Sequence, residues 1–323
     1  MSDRVPRPAR PVPVLASLVL AVLVAFASCS SAPARGETVT DAKDRAAEYA
    51  EFGNRYFQQG NYSQALRFFE LALRENTSVD NRPGIAQAYN SIGNVYLAAG
   101  EVATAEESFT TAYGIALEID DARLLLQSAT HLGEVALRRA RNDLALEFFE
   151  QARSEQTDDT PPADLAILYH NIATIHSRTG EFALAERFLR DAMAINDEER
   201  RLPDLASNHY MLASIFSRQE RYEEAIEEAT LALEIDKTIE NSVGIAADLK
   251  ALGLISRRAG EPTAAVDYLR RSLEVVATIG LVAEAEDILG HLVSLSRELG
   301  REQAAIEYEA RLHEIQERAR GEG

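Results

Sequence analysis

The sequence predicts an all-α solenoid of about seven helix-turn-helix repeats, and three observations support this prediction. Positions 60, 100, 140, 180, 220, 260 and 300 form a regular grid, and five of them carry a glycine: Gly60, Gly100, Gly180, Gly260 and Gly300. Five residues after each grid position stands an alanine, in all seven copies: Ala65, Ala105, Ala145, Ala185, Ala225, Ala265 and Ala305. Before each grid position, apolar residues recur at the spacing of one helical face. Such a regular period indicates stacked structural units.

The pattern of each unit predicts two helices joined at the grid position. In the second unit the apolar positions of the first helix are Tyr89, Ile92, Gly93, Val95 and Tyr96, which follow the i, i+3, i+4, i+7 pattern. The glycine in the middle of this face lets the second helix approach closely, and a glycine at the grid position ends the first helix in a left-handed turn. One unit cannot bury its apolar face alone, so neighbouring units must stack.

Residues 1–28 differ from the rest of the chain. Arg4, Arg7 and Arg10 form a basic start, and the run 12–26 contains no charged residue. That run is shorter than the roughly 20 residues that a membrane-spanning helix needs, so it is typical of the apolar region of a secretory signal peptide. An uncleaved single-span anchor is the alternative.

A short motif ends this segment. Ala27-Ser28-Cys29 resembles the lipobox of bacterial lipoproteins, although Phe26 stands where a leucine is usual. The resemblance implies cleavage after residue 28 and diacylation (palmitate-type lipidation) of Cys29, the only cysteine in the chain. Ordinary signal cleavage beside an incidental cysteine is the alternative. By resemblance to enteric sorting, Ser30 favours the outer membrane, facing the periplasm.

Residues 29–43 are expected to form a flexible tether, because the stretch from Ser30 to Thr40 is rich in Ser, Ala, Pro, Gly and Thr and has no apolar periodicity. The lipid chains on Cys29 would anchor this tether to a membrane. Residues 44–320 contain the repeats. The sequence therefore predicts a signal peptide (1–28), a tether (29–43) and a solenoid (44–320).

The repeats resemble the tetratricopeptide signature, W-x2-L-G-x2-Y followed by A-x3-F. The first unit matches it with Tyr49, Phe52, Gly53, Tyr56, Ala65 and Phe69. The period of 40 exceeds the usual 34, so the match is to a long-repeat variety. The resemblance implies a right-handed superhelical solenoid with a concave groove lined by the first helices, and a protein or peptide partner.

Composition and motifs favour binding over catalysis. The net charge of -19 repels phosphate backbones, so nucleic-acid binding is not expected. No P-loop, G-x-S-x-G or H-E-x-x-H motif is present, and His131, His170 and His291 are read as ordinary helix histidines. We therefore expect no cofactor, no metal and no enzyme activity.

The candidate partner-binding residues lie 13, 10, 6, 3 or 2 positions before a grid position, on the helix face expected to line the groove. They are Asn54, Asn90, Asn94, Arg138, His170, Arg178, Tyr210, Arg218, Lys250, Arg257 and Arg258. The asparagine side chains can pair with a peptide backbone, because an amide group both donates and accepts hydrogen bonds.

One column of this set is basic. Arg138, Arg178, Arg218 and Arg258, called the arginine column below, each stand two residues before a grid position in four consecutive units. Two interpretations remain open: the column binds an acidic or carboxylate-bearing partner segment, or it only complements the dipoles of helix C-termini.

Together these features predict an exported, lipid-anchored scaffold for protein–protein interaction at a bacterial cell envelope. The alternative is a sensor or regulator whose groove binds a small peptide and changes the curvature of the solenoid.

Overall fold

The computed structural model describes residues 38–321, which form fourteen α-helices in seven pairs. The first helices of the pairs are α1 (Val39–Gln58), α3 (Arg82–Ala98), α5 (Ala122–Arg138), α7 (Pro162–Thr179), α9 (Leu202–Arg218), α11 (Ser242–Arg258) and α13 (Val282–Glu298). The second helices are α2 (Tyr62–Ser78), α4 (Val102–Ile119), α6 (Asn142–Ser154), α8 (Phe182–Glu198), α10 (Tyr222–Thr238), α12 (Pro262–Ile279) and α14 (Glu302–Gly321). The predicted all-α repeat solenoid is confirmed.

Left-handed residues separate the helices at regular intervals along the chain. All seven grid positions have positive φ, including Ala140 (φ 56°) and Glu220 (φ 62°), where no glycine relieves the strain. A second set, not expected from the sequence, lies halfway between them: Asp80, Asp120, Arg200, Glu240 and Gly280. In this second set, which would continue at residue 160, only that position lacks a positive φ. There α6 ends at Ser154, and residues 155–161 connect it to α7.

The predicted boundary between tether and solenoid needs a correction. Helix α1 begins at Val39, ahead of the predicted start at residue 44, because Thr38 and Asp41 form a capping box. The Thr38 hydroxyl accepts from the Asp41 backbone N–H at 3.1 Å, and the Asp41 carboxylate accepts from the Thr38 N–H at 3.0 Å. These hydrogen bonds satisfy the first turn, so the helix includes residues that composition alone assigned to the tether. Cys29 and the signal segment lie outside the described residues.

Each pair is held together where its two helices cross. The seven alanines that follow the grid positions are all completely buried, at 0% exposure. On the facing helix, a Cβ added to Gly93 would lie 2.5 Å from the ring of Phe109, which is also completely buried. Where an alanine replaces the glycine, as in Ala173, the facing residue is the smaller Leu189. The crossing therefore requires a matched pair of side-chain volumes.

The first helices line the inner side of the stack. Consecutive first helices contact one another at four junctions: α1 with α3, α3 with α5, α5 with α7, and α9 with α11. Within residues 38–321, no second helices of neighbouring repeats make comparable contact, so they splay apart on the outer side. The same residues contain no helix that is both long and apolar enough to span a bilayer.

Candidate functional site

The inner groove contains two adjoining cavities at the centre of the stack. The first, here called the Asn90 pocket, lies among α3, α5 and α7 and has a volume of about 190 Å³. The second, the Asn208 pocket, lies among α5, α7 and α9 and has a volume of about 250 Å³. Ile167 of α7 lines both cavities and is 39% exposed. The two pockets therefore form one continuous stretch of groove with an apolar side chain at its centre.

Asn90 is held in place by the next repeat. The side chain is only 1% exposed, and its Oδ1 accepts a hydrogen bond from the Ser128 hydroxyl on α5 at 3.1 Å. Its Nδ2 is buried and has no hydrogen-bond partner within the protein. One end of the amide is thus fixed, and the other end remains a free donor at the wall of the Asn90 pocket.

Asn208 repeats this arrangement further along the stack. It is also 1% exposed, and its Oδ1 lies 2.6 Å from Nδ1 of His170 on α7. Because the oxygen can only accept, His170 Nδ1 carries the hydrogen of this bond. Asn208 Nδ2 is buried and has no partner within the protein. The predicted residue His170 therefore acts on the pocket by orienting a neighbouring amide.

Further unpaired polar atoms cluster around these two amides. The side chains described by the structure, those of residues 38–317, contain nine buried polar atoms without a partner. Five of these atoms belong to residues that line the two pockets: Asn90 Nδ2, Gln127 Oε1, His131 Nδ1, Asn196 Oδ1 and Asn208 Nδ2. An unpaired buried polar group costs about 1–3 kcal/mol. A ligand that forms hydrogen bonds with these atoms removes this free-energy cost. The groove therefore favours a molecule that carries both hydrogen-bond donors and acceptors.

His131 belongs to the wall of the Asn90 pocket. Its ring stacks on Phe109 with the centroids 4.7 Å apart. Burial lowers the pKa of His131 to about 4, so the ring is neutral at pH 7 and contributes no positive charge to the groove. Among the described residues, no group of three or more His, Cys, Asp or Glu side chains is placed to hold a metal ion.

The arginine column connects consecutive repeats. Arg138 Nη1 donates to the Leu97 carbonyl at 3.2 Å, and Arg178 Nη1 donates to the Leu137 carbonyl at 3.0 Å. The two remaining members follow the same register: Arg218 Nη1 donates to the Ser177 carbonyl at 2.6 Å, and Arg258 Nη1 donates to the Ser217 hydroxyl at 3.2 Å. Each arginine therefore reaches the C-terminal end of the preceding first helix, as in the helix-dipole interpretation, but across a repeat junction.

The other predicted residues divide into two groups. Asn94 lines the Asn90 pocket, and Tyr210, 41% exposed, lines a third cavity of about 150 Å³ together with Arg258. Lys250 forms an ion pair with Asp287, Arg257 bonds Ser294 and Glu298 of the next repeat, and Asn54 is exposed on α1. The structure thus brings Asn90, Asn94 and His170 into the central groove and gives Lys250 and Arg257 structural partners.

Sequence reasoning missed several residues of the two pockets. Ser128 and Asn208 occupy equivalent positions of their repeats, in a column that was not assigned to the groove. Asp164 and Asp204, which share another such column, also line the cavities. A sequence pattern that could have revealed them is the recurrence of polar residues 38 positions apart, such as Asn90 and Ser128 or His170 and Asn208. These residues contact each other only where two repeats join.

A stack of paired helices with a polar, partly unsatisfied inner groove is the architecture of an interaction module. A family model for the tetratricopeptide repeat matches the chain over residues 44–118, 84–158, 122–198, 164–238 and 204–277. The chain belongs to the tetratricopeptide repeat family. No curated protein sequence matches it.

Several solved structures share the fold. A Rap protein complexed with Competence and Sporulation Factor has a TM-score of 0.63 and 17% identity, covering 85% of this chain and 75% of its own. The Rap conjugation gene regulator of plasmid pLS20, in complex with the Phr* peptide, has a TM-score of 0.60 and 20% identity, with coverages of 96% and 86%. Aspartyl phosphate phosphatase F from Bacillus subtilis has a TM-score of 0.60 and 17% identity, with coverages of 94% and 76%. At these identities the likeness shows the fold alone.

Proposed function

We propose that this protein is an exported, lipid-anchored scaffold that holds an extended segment of a protein partner in its inner groove at a bacterial cell envelope. The observation that carries the binding role is the pair of buried asparagines, Asn90 and Asn208, whose Nδ2 groups have no partner within the protein. Neither amide can turn away, because Ser128 and His170 hold the opposite ends.

The form of the ligand follows from the spacing of these amides. Adjacent helices pack about 8–10 Å apart, so three repeats on the inner side span roughly 30 Å. An extended chain rises about 3.3 Å per residue and offers a carbonyl and an N–H at every residue. A segment of about ten residues therefore reaches both asparagines, with one side chain over Ile167.

The cellular location is proposed from the sequence. The basic start, the short apolar run and Cys29 support export and lipidation, which would tether residue 38 close to a membrane, facing the periplasm from the outer membrane. The solenoid would then present its groove to partners in the same compartment.

A peptide sensor is the second candidate, and two of the similar structures favour it because they contain a bound factor or peptide. In that case a free peptide of about ten residues would occupy the same groove and alter the curvature of the stack. The two functions share the site and differ in whether the bound segment belongs to a folded protein.

The binding role is tested by Asn90→Ala combined with Asn208→Ala. Each lost hydrogen bond is worth about 0.5–1.5 kcal/mol, so recovery of crosslinked partner from native membranes should fall about tenfold or more. Gln303→Ala, which removes an exposed amide on the second helix α14 outside both pockets, is the control and should leave recovery unchanged. Equal recovery by the double variant and the wild type, with both folded by circular dichroism, would refute the groove.

The anchor is tested separately. Cys29→Ser should move the protein from the detergent-extracted membrane fraction to the soluble fraction, because the lipid chains would be absent. Wild-type protein should incorporate labelled palmitate and the variant should not. Absence of label from the wild type would overturn lipidation and leave the groove hypothesis standing.

A further inference from the structure

The walls of the two groove pockets contain acidic side chains. Glu134 and Asp204 line the Asn208 pocket, and Asp164 lines the Asn90 pocket. Neither lining contains a lysine or an arginine. A ligand that enters the central groove therefore meets three carboxylates in the pocket walls, and the arginines that pair with them, Arg123, Arg138 and Arg201, lie outside both linings.

The arginine column does not reverse this balance. Its guanidinium groups already donate to the ends of the preceding helices, at 3.0 Å from Arg178 to the Leu137 carbonyl and at 2.6 Å from Arg218 to the Ser177 carbonyl. A carboxylate ligand would have to compete with these bonds. The geometry thus gives an acidic partner segment few free donors, which favours the helix-dipole interpretation of the arginine column over the acidic-partner interpretation.

The carboxylates retain room for a ligand. Glu134 lies 3.3 Å from an Arg138 nitrogen, and Asp204 lies 2.6 Å from an Arg201 nitrogen, yet their side chains are 31% and 46% exposed. An ionised carboxylate accepts about four hydrogen bonds, so each can take a second cation. Asp164 is more buried: it accepts from Gln127 Nε2 at 2.8 Å and lies 3.8 Å from an Arg123 nitrogen.

A second observation points to a ligand in the same cavity. Asn196 and Asn208 line the Asn208 pocket, are 2% and 1% exposed, and carry a buried acceptor (Oδ1) and a buried donor (Nδ2) without partners in the protein. An ammonium or guanidinium group supplies several donors to Asn196 Oδ1 and the nearby carboxylates. The preceding or following peptide carbonyl can accept from Asn208 Nδ2.

We propose, resting on the function proposed above, that the bound segment is basic and that a lysine or arginine side chain of it occupies the Asn208 pocket. The overall charge of -19 adds to this selectivity, because a negative field draws cationic segments to the groove and repels acidic ones. The preference weakens as salt rises, since the pocket is open to solvent.

The test uses degenerate synthetic decapeptides incubated with the immobilised full-length protein, and retained peptides are sequenced by mass spectrometry. Lysine and arginine should be enriched at least about threefold over aspartate and glutamate at low salt. Glu134→Gln combined with Asp204→Asn should remove the enrichment. Glu223→Gln combined with Glu227→Gln changes the net charge equally on the outer helix α10, and should preserve it.

The outcomes separate the two proposals. Enrichment of acidic residues, or equal enrichment in wild type and in the Glu134/Asp204 variant, would overturn the basic-segment proposal while leaving the groove in place. The Asn90/Asn208 double variant should retain less of every peptide, whatever its charge. If it retains as much peptide as the wild type, the proposed groove function fails.

Discussion

Gly93 offers a direct test of how the repeats pack. Gly93→Ala places a Cβ 2.5–2.8 Å from three ring carbons of Phe109, whereas ordinary contacts lie at 3.4–4 Å. The ring must therefore give way, and it cannot retreat freely because the His131 ring of the next repeat stacks on it at 4.7 Å.

The expected magnitude follows from two opposing effects. Overpacking a buried site costs about 1–3 kcal/mol, and replacing a mid-helix glycine by alanine returns up to about 1 kcal/mol of helix propensity. Gly93→Ala should therefore lower the free energy of unfolding by about 0.5–2 kcal/mol. Gly114→Ala in α4, where no atom lies within 4 Å of the added Cβ, should instead raise it by about 0.5–1 kcal/mol.

The assay is urea unfolding followed by circular dichroism on the two variants and on a rescue variant. Phe109→Leu added to Gly93→Ala recreates the natural Ala173–Leu189 pair of the fourth repeat. The free energy of unfolding of the double variant should therefore be about 1 kcal/mol higher than the value expected if the two single-variant effects were additive. If Gly93→Ala and Gly114→Ala shift the midpoint in the same direction, the volume-matching explanation of this column is wrong.

Three further predictions concern the turns, the junctions and a buried carboxyl. Ala140→Gly should raise stability by about 0.5–1 kcal/mol, because residue 140 has φ 56° and glycine adopts that conformation without a Cβ penalty; thermal unfolding measures it. Arg178→Ala combined with Arg218→Ala should lower stability by about 1–2 kcal/mol, because two junctions lose charged hydrogen bonds, while peptide retention changes little. Burial and the neighbouring Asp236 carboxylate raise the pKa of Asp248 to about 8. Stability should therefore fall as pH rises from about 4 to 8, since the folded state holds a proton that the unfolded state releases, and Asp248→Asn should flatten that decline in urea midpoints.

Each of these predictions has a contradicting result. A lower melting temperature for Ala140→Gly would show that its turn is not strained. Arg74→Ala combined with Arg301→Ala removes two arginines outside the junctions, and an equal loss of stability there would remove the special role of the column. Parallel pH profiles for the wild type and Asp248→Asn would show that Asp248 does not titrate in this range.

The sequence predicted the features that depend on a single repeat. The alanine column, the small residue at Gly93 and the left-handed turn at Gly60 each follow from contacts inside one helix pair, so the repeat period reveals them. The start of α1 could not be read from composition, because it depends on two reciprocal hydrogen bonds between Thr38 and Asp41.

The groove was predicted less completely because it is formed at junctions. Periodicity indicates which side of a helix is buried, and it selected Asn90 and His170, which line the two pockets in the structure. It did not indicate that Asn208 lies against His170, since that contact joins residues on different repeats. Periodicity also does not indicate the conformation of a long side chain such as Arg178. That conformation decides whether the guanidinium group faces a ligand or donates to the Leu137 carbonyl.

The central claim is that the inner groove binds the partner, and site-specific photocrosslinking tests it most directly. A photoreactive residue is introduced at Ile167, 39% exposed between the two pockets, or at Leu231, 38% exposed on the outer helix α10. With the full chain in native membranes, residue 167 should crosslink a partner and residue 231 should not. Crosslinking from residue 231 alone, or equally from both residues, would contradict the account.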